Sequence, residues 1–392
     1  MKVHNRPNQV TAFAVTAPGL EPLCARELRG LAIRPTVDEG GVLWNGAIES
    51  IARANLWLRT ASRVLVRVSE FRATAFYELE LQAKRIAWDR FVAAGSSVEF
   101  RVTCRKSKLY HSDAVAQRFA RTVERRVPGV RIAKAKAADD DDEATDSSDH
   151  QLFVVRFLHD VCTVSVDSSG ALLHRRGYRQ QIAKAPLRET LAAAALLGAG
   201  WSGDVPLVDP MCGSGTIPIE AACLARLIAP GRDRGFAFLR WPEFNQQVWI
   251  KLLDDARAGE LPSSPVEIAG ADRDAGAIDA ARANAARAGV ADDIEFNVQP
   301  ISALTPAEPP GLVVSNPPYG VRVGESDELR NLYAQLGNVI RRQRPGWTLA
   351  LLSADRRLEQ QTRLAFEERF QTRNGGIPVR LVTAPPPSSP SP

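Results

Sequence analysis

The chain of 392 residues predicts a mixed α/β protein in two differently built parts: a C-terminal parallel sheet with helices on both faces, and an N-terminal α+β region. Three observations support this. From about residue 190 onward, apolar strand-like runs alternate with helix-like segments. Before about residue 165, short strands and helices are mixed without that regularity. The excess positive charge is confined to the first third. A chain of this length exceeds the size at which one hydrophobic core stops growing, so two or more domains are expected.

In the N-terminal part, FAVTA, VLVRV, VEFRVTC, LFVVRF and VCTVSV have the composition of strands, while PLCARELRGL and SDAVAQRFARTVERRV have helical spacing. The run DDDDEATDSSD at 139–149 holds seven acids and no base, too polar to bury itself, and reads as a mobile surface insertion between two strands. HRRGYRQQIAKAP at 174–186 reads as a connector, and LAAAALLGAG at 191–200 as a buried helix too short to span a membrane. In the C-terminal part, VPLVD (205–209), EIAGAD (267–272), IEFNV (294–298), GLVVS (311–315) and WTLALLS (347–353) are successive strands, with VRLVTA (379–384) closing the sheet. Helices TIPIEAACLARLI, AGAIDAARANAARAG and SDELRNLYAQLGNVIRR lie between them, the second with Gly289 as its stop. The expected divisions are 1–65, 66–168, a linker at 169–186, and 187–392.

Charge separates the parts. Residues 1–138 hold 24 Lys/Arg against 12 Asp/Glu, whereas the chain beyond residue 149 is balanced at 26 of each. This asymmetry points to a polyanionic partner for the N-terminal part, the plainer alternative being a solvated basic face. The five cysteines are odd in number and form no CxxC pair, which fits reduced thiols. The five histidines are scattered without ligand spacing, so no metal is expected. MKVHNRPNQV lacks the apolar segment of a secretory signal, and a cytoplasmic location is expected.

Two stretches carry chemistry. DPMCGSG (209–215) ends the first C-terminal strand: its glycines let backbone approach a ligand, and the next helix offers unpaired amides. Proline at 218, where a dinucleotide fingerprint wants a third glycine, argues against NAD. Asp272, at the end of the second strand, is placed to accept from ribose hydroxyls, and Asp274 is the helix cap. VVSNPPYG (313–320) ends the fourth strand. The Asn316 side-chain oxygen and the rigid Pro317 carbonyl can each take one hydrogen of an amine conjugated to an aromatic ring. Its nitrogen is then held near tetrahedral geometry with the lone pair released, while Tyr319 stacks on the ring.

DPMCGSGT, GADRD and SNPPYG, in this order, resemble the S-adenosylmethionine-dependent methyltransferases of the Rossmann-like class that modify exocyclic amines. The resemblance implies strand order 3-2-1-4-5-7-6 with strand 7 antiparallel. It also implies a cofactor site at Asp209, Pro210, Cys212, Gly213, Gly215, Thr216, Asp272 and Asn316, and a catalytic corner of Asn316, Pro317, Pro318 and Tyr319. Cys212 lies in the cofactor loop and reads as a small loop residue rather than a nucleophile. One departure stands out: Pro300 occupies the point where the family places an aspartate for the adenine amino group, leaving backbone or Ser302 to hold adenine.

NPPY alone does not choose among adenine N6, guanine N2 and a protein glutamine. FAVTAPGLEPLCARELRGL, FYELELQAKRIAWDRF and CRKSKLYHSDAVAQRFARTV resemble the ferredoxin-like segment and THUMP domain of RNA methyltransferases, and with LHRRGYR and APLRETLAAA the likeness is nearest the bacterial 23S ribosomal RNA guanine-N2 enzymes. A transfer RNA enzyme and a noncatalytic RNA-assembly factor remain open alternatives. The expected RNA contacts are Arg105, Lys106, Lys108, Tyr110 and His111, with Arg118, Arg121 and Arg125 at helical spacing on one face.

Overall fold

The computed structural model describes residues 9–133, 150–180, 187–304, 309–319, 326–344 and 346–386. The acidic run at 139–149 and residues 181–186 of the expected connector lie outside them. The chain divides into two compact units: Met1–Thr16, Cys24–Leu173 and Arg234–Asp254 form the first, and Ala17–Leu23, His174–Asp233 and Asp255–Pro392 the second. Residues 234–254, which the sequence alone leaves inside the C-terminal half, group with the first unit; there Trp241 donates its indole N–H to Gln151 Oε1 at 2.8 Å and meets Phe91 edge-on at 5.1 Å.

Among the described residues the first unit holds eight strands: β1 (Gln9–Thr16), β2 (Pro35–Asp38), β3 (Gly41–Ala47), β4 (Ala61–Arg72), β5 (Ser97–Arg105), β6 (Arg131–Ile132), β7 (His150–Leu158) and β8 (Val161–Asp167). They form one sheet in the order β2-β3-β1-β4-β8-β7-β5-β6. β4 pairs with β1 along one edge and β8 along the other, so the division expected between residues 65 and 66 falls within a strand shared by both halves of the sheet. Trp88 anchors the core beneath β5 and β7, its ring edge-on to Phe153 at 5.0 Å and to Phe100 and Phe119 at 6.0 Å. Phe119 comes from the amphipathic helix Ser112–Arg126, which buries Val115, Phe119 and Val123 on its inner face.

The second unit contains β9 (Leu207–Asp209), β10 (Ile268–Asp272), β11 (Glu295–Val298), β12 (Leu312–Ser315), β13 (Thr348–Ser353), β14 (Glu367–Asn374) and β15 (Ile377–Ala384). Their spatial order is β11-β10-β9-β12-β13-β15-β14, parallel except for β15, which runs antiparallel to both neighbours. This is the expected order 3-2-1-4-5-7-6. The central strands are apolar on both faces because helices cover both. Leu207, Leu312, Val314, Ala350 and Leu381 pack with the helices Glu189–Gly198, Thr216–Ala225 and Ala275–Ala288. Val208, Val313, Leu349, Leu351 and Val382 face the other way, toward Tyr333, Leu336 and Ile340 of the helix Ser326–Gln343. No helix among the described residues is long and apolar enough to cross a membrane.

This topology positions the chemistry. β10, β9 and β12 are parallel neighbours, so their carboxyl ends lie side by side, and Asp272, Asp209 and Ser315 come together at the carboxyl end of the sheet.

Candidate active site

The loop after β9 turns sharply into the helix Thr216–Ala225. Gly215 sits at φ +82 at its head, and a Cβ there would lie 2.9 Å from the Ala281 Cβ and 3.2 Å from the Ala281 Cα, so only glycine permits this approach of the two helices. The loop is held by side chains from three elements. Asp272 accepts the Gly213 amide at 3.0 Å and the Asp274 amide at 3.0 Å, and Asn284, fully buried, donates to the Ser214 carbonyl at 3.0 Å. Asp274 caps the helix Ala275–Ala288 through the amides of Gly276 and Ala277, and Gly289 ends it at φ +72, both as expected. The connector joins the same network: Arg287 donates to the Tyr178 carbonyl at 2.8 Å and to Asn284, while the buried Tyr178 hydroxyl donates to Glu220 at 3.0 Å. Ser214 and Tyr178 stand inside the stretches DPMCGSG and LHRRGYR without being singled out there, and Asn284 and Arg287 lie on a helix that carries no motif signal.

Asp209 is 1 % exposed. Its Oδ1 accepts the Met211 amide at 3.1 Å and the Ser315 hydroxyl at 2.7 Å. Burial drives its carboxyl from the ordinary 3.8 up to about 7, partly opposed by the bonds from Ser315 and Met211 and reinforced by the nearby charge of Asp272. Ser315 immediately precedes Asn316, so this bond ties the loop after β9 directly to the loop after β12. The Cys212 thiol is pushed well above its usual range, first by burial and then by Asp209 and Asp272; such a thiol is a poor nucleophile, in keeping with its reading as a loop residue.

In the NPPY corner, Pro317 is buried, Pro318 exposed, and Asn316 and Tyr319 half-buried. The Tyr319 hydroxyl donates to Asn316 Oδ1 at 3.1 Å and accepts from Asn374 Nδ2 at 2.8 Å. Burial raises the Tyr319 phenol above its ordinary value, so it stays protonated at neutral pH. Beyond β11, Pro300 and Ser302 are exposed, and Val298, paired in register with Asp272, is 51 % exposed. Thus Asp209, Gly213, Gly215, Asp272 and the NPPY corner are brought together along the carboxyl ends of β9, β10 and β12, with Pro210 and Cys212 in the loop they frame and Thr216 opening the helix that follows.

The basic residues of the first unit are less uniform than their spacing suggests. Arg105, Lys106, Lys108 and His111 are exposed, and Tyr110, 68 % exposed, stacks obliquely on His111 with ring centres 4.0 Å apart. Their loop is pinned where the Lys108 amide donates to Asp160 Oδ1 at 2.8 Å. Arg121 and Arg125 are exposed on the helix Ser112–Arg126. Arg118 is half-buried: it pairs with Glu80 and lies 4.9 Å over the Phe76 ring, contacts that Arg121 and Arg125 are not shown to make.

Comparison with known proteins places this architecture. A family profile described as UPF0020, the RMKL-like methyltransferase domain, matches residues 176–383, and one described as the RlmL ferredoxin-like domain matches 11–65. The chain belongs to the RMKL-like methyltransferase family. Among its relatives is a Synechocystis protein named as a candidate RNA methyltransferase, 34 % identical over 94 % of this chain and 95 % of its own length. Another is the ribosomal RNA large subunit methyltransferase K/L of Syntrophotalea carbinolica, 39 % identical over 94 % of this chain; the chain spans about half of that protein, 53 %. Two solved structures superpose over nearly their whole length. One, described as a candidate methyltransferase complexed with S-adenosylhomocysteine, is 29 % identical with TM-score 0.85, covering 98 % of this chain and all of its own. The other, from Listeria monocytogenes and described as a candidate N6-adenine-specific DNA methylase, is 33 % identical with TM-score 0.84, covering 95 % of this chain and 96 % of its own.

The buried Asp209 makes a testable demand on this methyltransferase fold. A carboxyl whose value rises from 3.8 to about 7 on folding holds its proton more tightly folded than unfolded. Its contribution to stability is therefore complete below the ordinary carboxylate range and is lost as pH rises through 7. Asp209→Asn removes that loss, so thermal melts of the ligand-free protein are expected to show the variant gaining on the wild type between pH 5 and pH 8. A Tm difference that does not vary with pH contradicts the assignment.

Proposed function

We propose that the chain is an S-adenosylmethionine-dependent RNA methyltransferase that modifies an exocyclic base amine, guanine N2 of 23S ribosomal RNA being the target favoured here. The observation that carries this reading is the Ser315–Asp209 bond, which sets the NPPY corner against the glycine loop. Support for the substrate class comes from the relatives named for RNA and large-subunit ribosomal RNA, and from the basic N-terminal part. The structural neighbour complexed with S-adenosylhomocysteine supports the cofactor.

The residues present fit that cofactor. Gly213 has open space where a Cβ would stand, and among the described residues the half-exposed Asp272 carboxylate accepts one amide on each oxygen, leaving acceptor capacity for ribose hydroxyls. Val298 offers apolar surface beside Asp272, suited to an adenine ring, with polar contact left to backbone or Ser302 in place of the missing aspartate. S-adenosylmethionine, when bound, supplies a sulfonium-activated methyl group. This chain's own work is to orient the acceptor: Asn316 Oδ1 and the Pro317 carbonyl each accept one hydrogen of the target amine, Tyr319 offers its ring to the base, and Asp209 and Ser315 hold the corner in register. No strong base is required, because positioning frees the lone pair.

The N-terminal part supplies affinity. We assign it as a ferredoxin-like segment with a THUMP-like RNA-binding region, in which Arg105, Lys106, Lys108, Arg121 and Arg125 meet phosphates while Tyr110 and His111 stack on an unpaired base. The working compartment is the cytoplasm, in keeping with five free cysteines.

Asn316→Ala is expected to cut methyl transfer at least ~100-fold while leaving RNA binding nearly intact, since it removes a group that acts on the reacting amine. Nucleoside mass spectrometry of ribosomal and transfer RNA from a deletion strain, complemented by wild type or by Asn316→Ala, reads this directly. N2-methylguanosine in the 23S fraction is expected to vanish and to return only with the wild type; loss from transfer RNA, or loss of N6-methyladenosine, would reassign the target. Filter-binding titrations across salt test the surface. Arg121→Ala and Arg125→Ala are each expected to lower the slope of log affinity against log salt by about 0.7 to 1. Arg118→Ala is expected to leave the slope unchanged and to lower Tm instead.

A further inference from the structure

We propose that Asn374, at the tip of the β14–β15 hairpin, is a positioning residue that fixes the orientation of the Asn316 amide by aiming the Tyr319 hydroxyl at it. The proposal rests on the methyltransferase reading of the NPPY corner and adds a residue 55 positions beyond it.

The Asn374 side-chain nitrogen can only donate, and it lies 2.8 Å from the Tyr319 oxygen. That oxygen therefore accepts on this side, and its single proton is left to point at Asn316 Oδ1, 3.1 Å away. The torsion that carries a terminal amide is broad and roughly two-fold, so nothing within the asparagine decides which end faces a ligand. Here the Tyr319 proton decides: turning the Asn316 amide over would set N–H against O–H and lose the bond. An amide oxygen has two lone pairs. Tyr319 occupies one, and the other remains for the N–H of a substrate amine, which is what the reaction needs from Asn316.

The backbone that carries this donor is set by the hairpin. Asn374 pairs with Ile377 across a two-residue turn whose glycines, Gly375 and Gly376, lie at φ +54 and +80. These values suit the type I′ hairpin, the connection that follows the natural twist of its strands, and so set where the Asn374 backbone stands. The protonated state of Tyr319, favoured by its burial, keeps the donor direction in force at neutral pH. Stacking on a base would need only the ring, so the hydroxyl has a role of its own.

The experiment compares Tyr319→Phe, Asn374→Ala, Asn374→Asp and the double variant Tyr319→Phe/Asn374→Ala with wild type. Steady-state kinetics on 23S ribosomal RNA are read beside the side-chain amide spectrum of protein labelled with 15N-asparagine. Loss of the orienting bond is expected to lower kcat about tenfold in each single variant, the size of one hydrogen bond, with KM for RNA and cofactor unchanged. Asn374→Asp is expected to do at least as much, because its carboxylate takes the Tyr319 proton away from Asn316. The double variant should be no worse than either single, and the Asn316 side-chain resonances should move alike in Tyr319→Phe and Asn374→Ala. Wild-type kcat in Tyr319→Phe, additive losses in the double, or Asn316 resonances that do not move would each overturn the proposal. If the wild type methylates no ribosomal RNA, the functional reading fails while the amide spectrum still decides the positioning link.

Discussion

The site depends on one hydrogen bond between two strand ends. The Ser315 hydroxyl, the last group of β12, donates to the carboxylate that ends β9, and both are buried. Parallel pairing brings these ends together, but a sheet alone tolerates small slips between neighbouring loops. A side-chain bond at 2.7 Å in a dry environment does not, since leaving either group unpaired there costs about 1–3 kcal/mol or more. The glycine loop and the NPPY corner are thereby fixed to each other, and the cofactor and acceptor sites inherit that spacing.

Around this bond the second unit adds constraints from other directions. Asp272 ties the Gly213 amide to β10, Asn284 and Arg287 hold the Ser214 carbonyl and the connector, and Asn374 reaches the corner from the far edge of the sheet. None of these is a strong interaction taken singly. Together they hold a preorganised corner, which suits a reaction in which the protein supplies geometry rather than a base. The high carboxyl value of Asp209 is the cost of placing a charge-capable group where dryness makes its hydrogen bond count.

Much of this was legible in the sequence because local patterns carry it. Six strands of the second unit, the Asp274 cap, the Gly289 stop and the strand order followed from apolar periodicity and from motif resemblance, whereas the polar edge strand β14 gave no such signal. Pairings set by tertiary structure were not legible. Nothing near Arg118 announces Glu80, 38 residues earlier, as its partner, and helical spacing alone groups it with Arg121 and Arg125. The continuity of the first sheet through β4 is invisible to periodicity, which sees one strand and not its two neighbours. Asn374-Gly-Gly carries a hairpin signal, yet which side chain its asparagine meets depends on where the fold places the tip. Ser315 was the nearest miss: it stands inside the quoted stretch VVSNPPYG, but only the adjacency of β9 and β12 gives its hydroxyl a partner.

The central claim is that the corner ending β12 grips the amine of a flat base beside the cofactor loop. A crystal structure of the protein with S-adenosylhomocysteine and an RNA hairpin carrying the target guanosine tests it most directly. The exocyclic nitrogen is expected within hydrogen-bond reach of both Asn316 Oδ1 and the Pro317 carbonyl, with the base against the Tyr319 ring and the sulfur facing that nitrogen. A base seated away from the corner, or a cofactor bound elsewhere than the loop between Asp209 and Gly215, would contradict it.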